Sequence, residues 1–289
     1  MTGDDRLRTG LLDLAHNLER QGIPLILGGG YGLYLKQLHL QNPDAAATVI
    51  PFERWPAPRA TNDLDLFLRP EIVTSTERML AIRGVLESLD YAVIQGCEYM
   101  QFINPQGVKI DLLTGPLGEL ESKAKRRQDD RRIGPTPTAK LHAHRTDEAI
   151  GFQVDATEIR VNGMLSDGAA YDAVIRIPQA FTFLMMKLFA FRDRNREGEK
   201  DDARHHALDL YRTVAMLSEE EFERAMGMGA KHRSNPKVAE AGRIRQEYFG
   251  EPMGLGVLRI REHRLLIAEE TVAPFLSALA RILRFAQDA

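Results

Sequence analysis

The sequence predicts an α/β protein, with a mixed sheet in its first part and a helical domain at its C-terminal end. Three observations predict this fold class. Short apolar strands carry aspartates at alternate positions, and a run of three glycines separates a further apolar strand from a helix. After Pro178 the apolar residues recur at helical spacing, with helix-start signals between the segments. The predicted domains are residues 1–176 and 177–289.

Length and composition limit the number of domains and the classes of protein to which this chain can belong. The chain has 289 residues, which allows one or two domains with a sizeable core. Its formal net charge of -3 implies no overall attraction to nucleic acid. A single cysteine, Cys97, excludes an internal disulfide and fits a reducing cytoplasm. No apolar run approaches the ~20 residues of a membrane span, and the charged N-terminus lacks a signal core. We therefore expect a cytoplasmic protein with no membrane partner.

The elements of the first part follow from apolar spacing and turn residues. Leucines at helical spacing predict a helix over 5–21. Residues 41–60 are rich in proline and alanine and predict a loop. Gly107 predicts a turn between two strands. The other predicted elements of this part are strands at 24–27, 62–69, 91–95, 99–103 and 108–113, and helices at 31–40 and 74–89.

Residues 115–148 are polar and predict irregular structure. The mixed charge run at 122–132 is typical of a solvated surface. Its alternative interpretation is a basic lip that contacts RNA phosphates, although the aspartates within the run weaken it. His142 and His144 alternate but have no third nitrogen or sulfur ligand nearby, so they are expected at the surface.

Further strands are predicted before the change to helices near 176–178. In the helical part, Ser218 with Glu221 predicts a capping box, and Asn235 before Pro236 opens another helix. The remaining predicted elements are strands at 150–154, 158–164 and 172–177, and helices at 179–193, 201–217 and 270–286.

A pair of aspartates, Asp63 and Asp65, occupies an apolar strand. Alternate side chains of a strand point to the same side, so both carboxylates lie on one face, with Leu64, Leu66 and Leu68 on the other. Asp111 has the same alternation in the segment VKIDLL. Carboxylates that lie close together repel one another unless a cation lies between them. An isolated pair is also typical of a strand end, but the third aspartate favours a divalent-metal site for phosphoryl or nucleotidyl chemistry.

The glycine run Gly28-Gly29-Gly30 joins an apolar strand to a helix. Glycine lets the backbone turn tightly and approach a ligand, and the first amides of the helix would suit a phosphate. The dinucleotide pattern G-x-G-x-x-G fails because its last position is Leu33, and the P-loop pattern is absent. A plain strand-to-helix turn is the alternative.

Lys187 lies within an almost continuously apolar helix, where a lysine needs a partner or must extend to the surface. A functional lysine would lie in a cleft and meet the charge of a triphosphate. On the next helix Asp202, His206 and Asp209 share one face. Arg59, beside the aspartate strand, could contact a phosphate, although a loop arginine needs no special role.

These segments resemble a known superfamily. The glycine run, RATNDLDLFL and VKIDLL resemble the polymerase-beta-like nucleotidyltransferases, and the later stretches IPQAFTFLMMKLFAFRDR and KDDARHHALDLYRTV resemble their AbiEii family. That family includes toxins of toxin–antitoxin pairs. The resemblance covers roughly residues 22–217. It departs from the superfamily at Gly30, where serine is usual, and in a long proline-rich segment before Asp63.

The resemblance implies a Mg²⁺-dependent nucleotidyltransferase. Asp63, Asp65 and Asp111 would hold Mg²⁺, and the glycine run with Lys187 would bind the NTP. Asp209 would orient Lys187 or the acceptor, with an ordinary surface salt bridge as its competitor. The implied partners are NTP, an acceptor such as the 3′ end of tRNA or a protein hydroxyl, and a cognate antitoxin. The alternatives are transfer to a small molecule such as an antibiotic, kinase-like transfer of the γ-phosphate, and a degenerate binding protein without turnover.

Overall fold

The structure is a computed structural model that describes residues 3–41, 47–59, 61–97, 99–127, 131–263 and 268–284. It divides into two compact units: Met1–Leu35 with Ala60–Pro178, and Lys36–Arg59 with Gln179–Ala289. The mixed sheet lies in the first unit, and the second is built mainly from helices, which confirms the predicted fold class. The segment Lys36–Arg59 clusters with the helices, although its sequence position is within 1–176.

The first unit contains all ten strands found among the described residues. Its helices are α1 (Gly3–Arg20), the start of α2 (Gly29–Leu40), α3 (Pro70–Val73) and α4 (Thr76–Ser88), with a 3-10 turn at Gly118–Lys123. Its strands are β1 (Ile26–Leu27), β2 (Asp63–Phe67), β3 (Ala92–Val93), β4 (Gln101–Ile103), β5 (Lys109–Thr114), β6 (Lys125–Arg127), β7 (Arg132–Gly134), β8 (Ala143–Arg145), β9 (Thr157–Met164) and β10 (Ala170–Ile177).

The sheet mixes parallel and antiparallel pairs. Its order is β6-β7-β8-β5-β2-β1-β10-β9, and β4 also pairs with β3 and β5. β2 runs parallel to β5, β5 to β8, and β1 to β10, whereas β1 and β2 are antiparallel. β2 is therefore central, and its residues Leu64 and Leu66 are buried. This burial agrees with the apolar strand that the sequence predicted, whereas its central position in the sheet was not predicted.

The second unit consists mainly of helices packed around an apolar core. Ser218 and Glu221 form the predicted capping box, and Asn235 caps the helix that begins at Pro236. The helices are α5 (Ala180–Arg196), α6 (Lys200–Ala215), α7 (Glu219–Lys231), α8 (Pro236–Phe249), α9 (Leu255–Arg261) and α10 (Val272–Ile282), with 3-10 turns at Phe52–Arg54 and Glu269–Thr271. None of the helices in the described ranges combines the length and the apolar character of a membrane-spanning segment.

Several predicted elements are wrong in detail. Residues 150–154 form turns rather than a strand, because Gly151 adopts a positive φ and the Val154 N–H bonds back to its carbonyl oxygen. The helix predicted at 74–89 is preceded by α3, and Ser75 caps α4 instead of continuing the helix. Helix α9 has no counterpart in the prediction.

The polar segment 115–148 is more regular than predicted. It supplies β6, β7 and β8, short strands that are held by pairing with neighbours rather than by their own apolar pattern. His142 is buried, not at the surface, since its N–H bonds to the Tyr99 carbonyl oxygen and its ring contacts the Tyr99 ring. Asp129 and Asp130 of the charge run lie outside the described residues.

Candidate active site

Asp63, Asp65 and Asp111 lie on two neighbouring parallel strands. The register of β2 and β5 places Asp65 opposite Asp111 and Asp63 opposite Lys109. The three aspartates are half-buried, whereas the residues that alternate with Asp63 and Asp65 are buried. Residues paired across a sheet point to the same face. The fold therefore sets the three predicted carboxylates on one face of adjacent strands.

The surroundings of Asp111 disfavour its ionised form. Burial raises the pKa of Asp111 from its usual 3.8 to about 6, and the negative charge of Asp63 adds to the increase. A hydrogen bond with Gln101 and the positive charge of Lys109 lower this pKa, but they do not offset the increase. A further positive charge near Asp63 and Asp111 would relieve the repulsion, which is what a divalent cation supplies.

The three aspartates could supply part of the coordination of a Mg²⁺ ion, and a bound substrate would supply the rest. Mg²⁺ prefers oxygen ligands and is usually held by one or two carboxylates together with substrate phosphates. Across the described ranges, no group of three or more histidine, cysteine, aspartate or glutamate side chains has the arrangement of a metal site built from protein alone. Asp63 and Asp111 interact electrostatically, and Asp65 lies opposite Asp111. This donor set suits a metal that is held partly by substrate phosphates.

The glycine run packs directly against the strand that carries Asp65. The Gly28 N–H donates a hydrogen bond to the Asp65 carbonyl oxygen at 2.8 Å. A Cβ atom on Gly29, whose φ is +60°, would lie 1.6 Å from the Asp65 Oδ2 atom. A Cβ atom on Gly28 would lie 2.6 Å from the Phe67 ring. A side chain at either position would displace Asp65 or Phe67, so close packing requires glycine at both.

This contact brings the Asp65 carboxylate beside the first residue of α2. The helix begins at Gly29 rather than at Tyr31, so Gly29 and Gly30 belong to its first turn and Gly28 directly precedes it. The positive end of the helix dipole favours an anion there. Packing explains Gly28 and Gly29 without a ligand, and the phosphate-binding role of Gly28, Gly29 and Gly30 stays a prediction.

In the second unit, Lys187 and Asp209 form a buried ion pair. The Lys187 Nζ atom lies 2.8 Å from the Asp209 Oδ2 atom, and the two side chains are 7% and 0% exposed. Lys187 therefore does not extend to the surface, and Asp209 is not part of an ordinary surface salt bridge. Helices α5 and α6 supply the two residues, and they pack against each other within this unit. Their contact is compatible with one of the two roles expected for Asp209, which were to orient Lys187 or the acceptor, and both roles remain predictions.

Two arginines complete the surroundings of Asp209. Arg59 donates from Nη2 at 3.0 Å and from Nε at 3.2 Å, and the Arg212 Nη1 atom lies 3.5 Å away. Burial alone would raise the pKa of Asp209, but Lys187, Arg59 and Arg212 outweigh it and hold the pKa well below its usual range. Three cations thus surround one carboxylate. Arg212 also donates to the Gln37 side-chain oxygen at 2.8 Å.

The two arginines were not predicted as partners of Asp209. Arg212 follows it by three residues on α6, so helical spacing alone could have identified the pair. Arg59 is 150 residues away in the chain, and no local pattern indicates its contact.

His206 lies close enough to Lys187, Asp209 and Arg59 to feel their charges. Burial lowers the pKa of His206 to about 3, and the positive charge of Lys187 contributes. Its Nδ1 atom is buried and has no hydrogen-bond partner in the described part of the chain. Asp202, which shares the predicted helix face, is exposed. The face therefore runs from the interior at Asp209 to the surface at Asp202.

No family model matches the chain, and no curated protein matches it. The solved structure of the antibiotic-resistance factor ANT(2'')-Ia is similar to it, with 13% sequence identity and a TM-score of 0.40. The alignment covers 80% of this chain and 98% of that chain. A likeness this weak supports no functional conclusion.

Proposed function

We propose that this protein is a Mg²⁺-dependent nucleotidyltransferase of the polymerase-beta-like type, which moves a nucleoside monophosphate from an NTP to an acceptor hydroxyl. The observation that carries the proposal is the register of β2 and β5, which sets Asp63, Asp65 and Asp111 on one face. The sequence resemblance supports the same reaction. Mg²⁺ bound there with the nucleotide would offset the negative charge on the entering and leaving oxygens.

In the proposed reaction, the acceptor oxygen forms a bond to the α-phosphorus of the NTP. The bond from the α-phosphorus to the oxygen that bridges to the β-phosphorus breaks, and pyrophosphate leaves. Asp111 accepts the hydroxyl proton. Asp111 is ionised at neutral pH, because its pKa of about 6 lies below 7 and a cation bound beside it would lower that pKa further.

We infer from the sequence resemblance that Lys187 neutralises nucleotide phosphates and that Asp209 positions it. The ion pair at 2.8 Å supports the positioning role, because it restricts the ammonium to one location. The excess of cations around Asp209 supports an anionic ligand, since Lys187, Arg59 and Arg212 together carry more charge than one carboxylate balances.

The acceptor and the biological role follow from the resemblance to the AbiEii family. That resemblance favours the 3′ end of tRNA as the acceptor, and a role as the toxin of a toxin–antitoxin pair with a cognate antitoxin as partner. A protein hydroxyl and a small molecule such as an antibiotic are the competing acceptors.

The test is label transfer with Mg²⁺ and each of the four NTPs, labelled at the α- or the γ-phosphate. Total cellular RNA, total cellular protein and a set of antibiotics serve as acceptors. We expect α-label to enter RNA with the parent and not with Asp63→Asn, while the exposed control Asp172→Asn labels normally. Entry of γ-label would establish a phosphotransferase instead, and no transfer to any acceptor would favour a binding protein.

A further inference from the structure

A cavity of about 380 Å³ opens at the end of the sheet where β1 begins and β2 ends. Its lining includes Ile23 and Leu25, which precede β1, Arg69 just after β2, and Val174 on β10. All of these residues belong to the first unit. The volume is within the range of small-molecule binding sites.

The cavity is separate from the candidate active site. Arg69 follows Asp65 by four residues, which corresponds to roughly 13 Å along an extended chain. Asp63 begins β2, and Arg69 lies past the opposite end of the strand. The described residues that line the cavity include neither the three aspartates nor the glycine run.

Arg69 is the unusual residue of this cavity. It is half-buried, and its Nε atom is buried without a hydrogen-bond partner among the described residues. A buried donor without an acceptor destabilises the protein, and more so where the group is charged. The ion pairs of the described residues do not include Arg69. Within the described part of the chain, the Nε donor of this cation therefore faces no protein acceptor.

The other charged groups of the lining already have partners. Arg176 lies 3.1 Å from the Glu158 carboxylate, and Glu19 accepts a hydrogen bond from the Tyr171 hydroxyl. Glu158 thus balances Arg176, and Arg69 is the one lining cation without an ion-pair partner among the described residues. A ligand with one negative charge balances it, whereas a dianion such as a phosphate monoester does not.

We propose that this cavity binds a small organic carboxylate that carries an apolar group. The planar guanidinium of Arg69 matches a carboxylate, with two parallel N–H donors for its two oxygens. Ile23, Leu25 and Val174 supply apolar surface for the rest of the ligand. The site does not depend on the proposed nucleotidyl transfer, because it shares no residue with it.

The test is calorimetric titration of the full chain with hexanoate, with hexanamide and inorganic phosphate as comparison probes. Hexanamide retains the apolar chain without the charge, and phosphate retains the charge without the chain. We expect hexanoate to bind at least tenfold more tightly than either. Equal binding of hexanamide, tighter binding of phosphate, or no binding of hexanoate would each overturn the proposal.

Variants identify the residue responsible. Arg69→Met should weaken hexanoate binding at least tenfold. Arg160→Met, which removes an exposed arginine of β9 outside the cavity, should bind hexanoate as the parent does. Parental affinity in Arg69→Met would overturn the role of Arg69. If Arg69→Met fails to fold, Arg69→Gln provides the same test, and the comparison of probes on the parent needs no variant.

Discussion

Asp209 remains charged in the interior of the helical unit because of the residues around it. Its side chain is fully buried, and a solitary carboxylate at such a position would become neutral. Contacts with Lys187, Arg59 and Arg212 hold its pKa well below the usual range. Loss of the Asp209 carboxylate would leave three cations beside one another. Loss of one cation would leave two cations that still balance the carboxylate.

This asymmetry predicts unequal costs for the two halves of the ion pair. Asp209→Asn should lower the free energy of unfolding by about 3 kcal/mol or more, because it leaves buried charges unpaired. Lys187→Met keeps the apolar stem, and Asp209 retains its arginines, so we expect a loss within about 1 kcal/mol. Urea unfolding measures both, with Asp172→Asn of the exposed pair with Arg160 as the control. An equal loss of unfolding free energy in the two variants would show that Lys187 and the two arginines do not share the Asp209 carboxylate.

The catalytic role of Lys187 makes a separate prediction. If its ammonium neutralises nucleotide phosphates, Lys187→Met should lower turnover at least a hundredfold, about 3 kcal/mol of transition-state stabilisation. The measurement is initial rate of α-label transfer under saturating NTP, with unfolding monitored in parallel. A folded Lys187→Met protein with parental turnover would leave Lys187 with a structural role only.

The raised pKa of Asp111 predicts that the stability of the protein depends on pH. Its pKa is about 6 in the folded protein and 3.8 ordinarily, so the folded state binds more protons between these values. The contribution of Asp111 to stability is therefore greatest below pH 4 and is lost as the pH rises through 6. The loss is at most about 3 kcal/mol.

Asp111→Asn should remove this penalty. In EDTA at pH 7.5 the variant should melt a few degrees above the parent, and near pH 4 the two should melt together, because Asp111 is then protonated in the parent. Differential scanning calorimetry at both pH values provides the comparison. A variant that melts below the parent at pH 7.5 would contradict the raised pKa.

At the scale of elements, the junction of β1 and α2 positions the aspartate strand. The Gly29 α-carbon lies against the Asp65 carboxylate, and the Gly28 N–H bonds to the Asp65 backbone. The glycine run therefore fixes the approach of the helix to β2. A substitution there should affect the metal-binding face without touching an aspartate.

Gly29→Ala tests this junction. The positive φ and the overlap with Asp65 should destabilise the protein by about 2 kcal/mol or more and reduce nucleotidyl transfer. Gly84→Ala is the matched control, because Gly84 lies within α4 and an added Cβ meets nothing within 4 Å. It should stabilise the protein by roughly 0.5–1 kcal/mol. Both variants are compared with the parent by thermal melting and by label transfer. A Gly29→Ala protein with the parental melting temperature and activity would show that close packing does not require glycine at this position.

For the whole molecule, the proposed toxin role predicts a growth phenotype that depends on catalysis. Induced expression in a bacterium should slow growth, because a few enzyme molecules can modify an abundant acceptor such as tRNA. Asp63→Asn, expressed to the same level, should not slow growth, since it loses activity and retains the fold. Growth curves with quantified expression measure this. A defect of equal size in Asp63→Asn would indicate binding or misfolding, and no defect in either would favour a small-molecule acceptor.

Some features of the chain were determined by the sequence itself. The alternation of Asp63 and Asp65 in an apolar strand, the capping box at Ser218 and the helix start at Asn235 were each predicted and are present. Each depends on residues two or three positions apart. Such relations are set by the local geometry of a strand or a helix and do not need the rest of the fold.

Other features were decided only by the tertiary structure. The placement of Asp65 opposite Asp111, the burial of His142 and the contact of Arg59 with Asp209 all join distant parts of the chain. Sheet register and the partner of a buried charge depend on which surfaces meet in the folded protein. Local propensity carries no information about that choice, because the same short segment can pair with different neighbours in different folds.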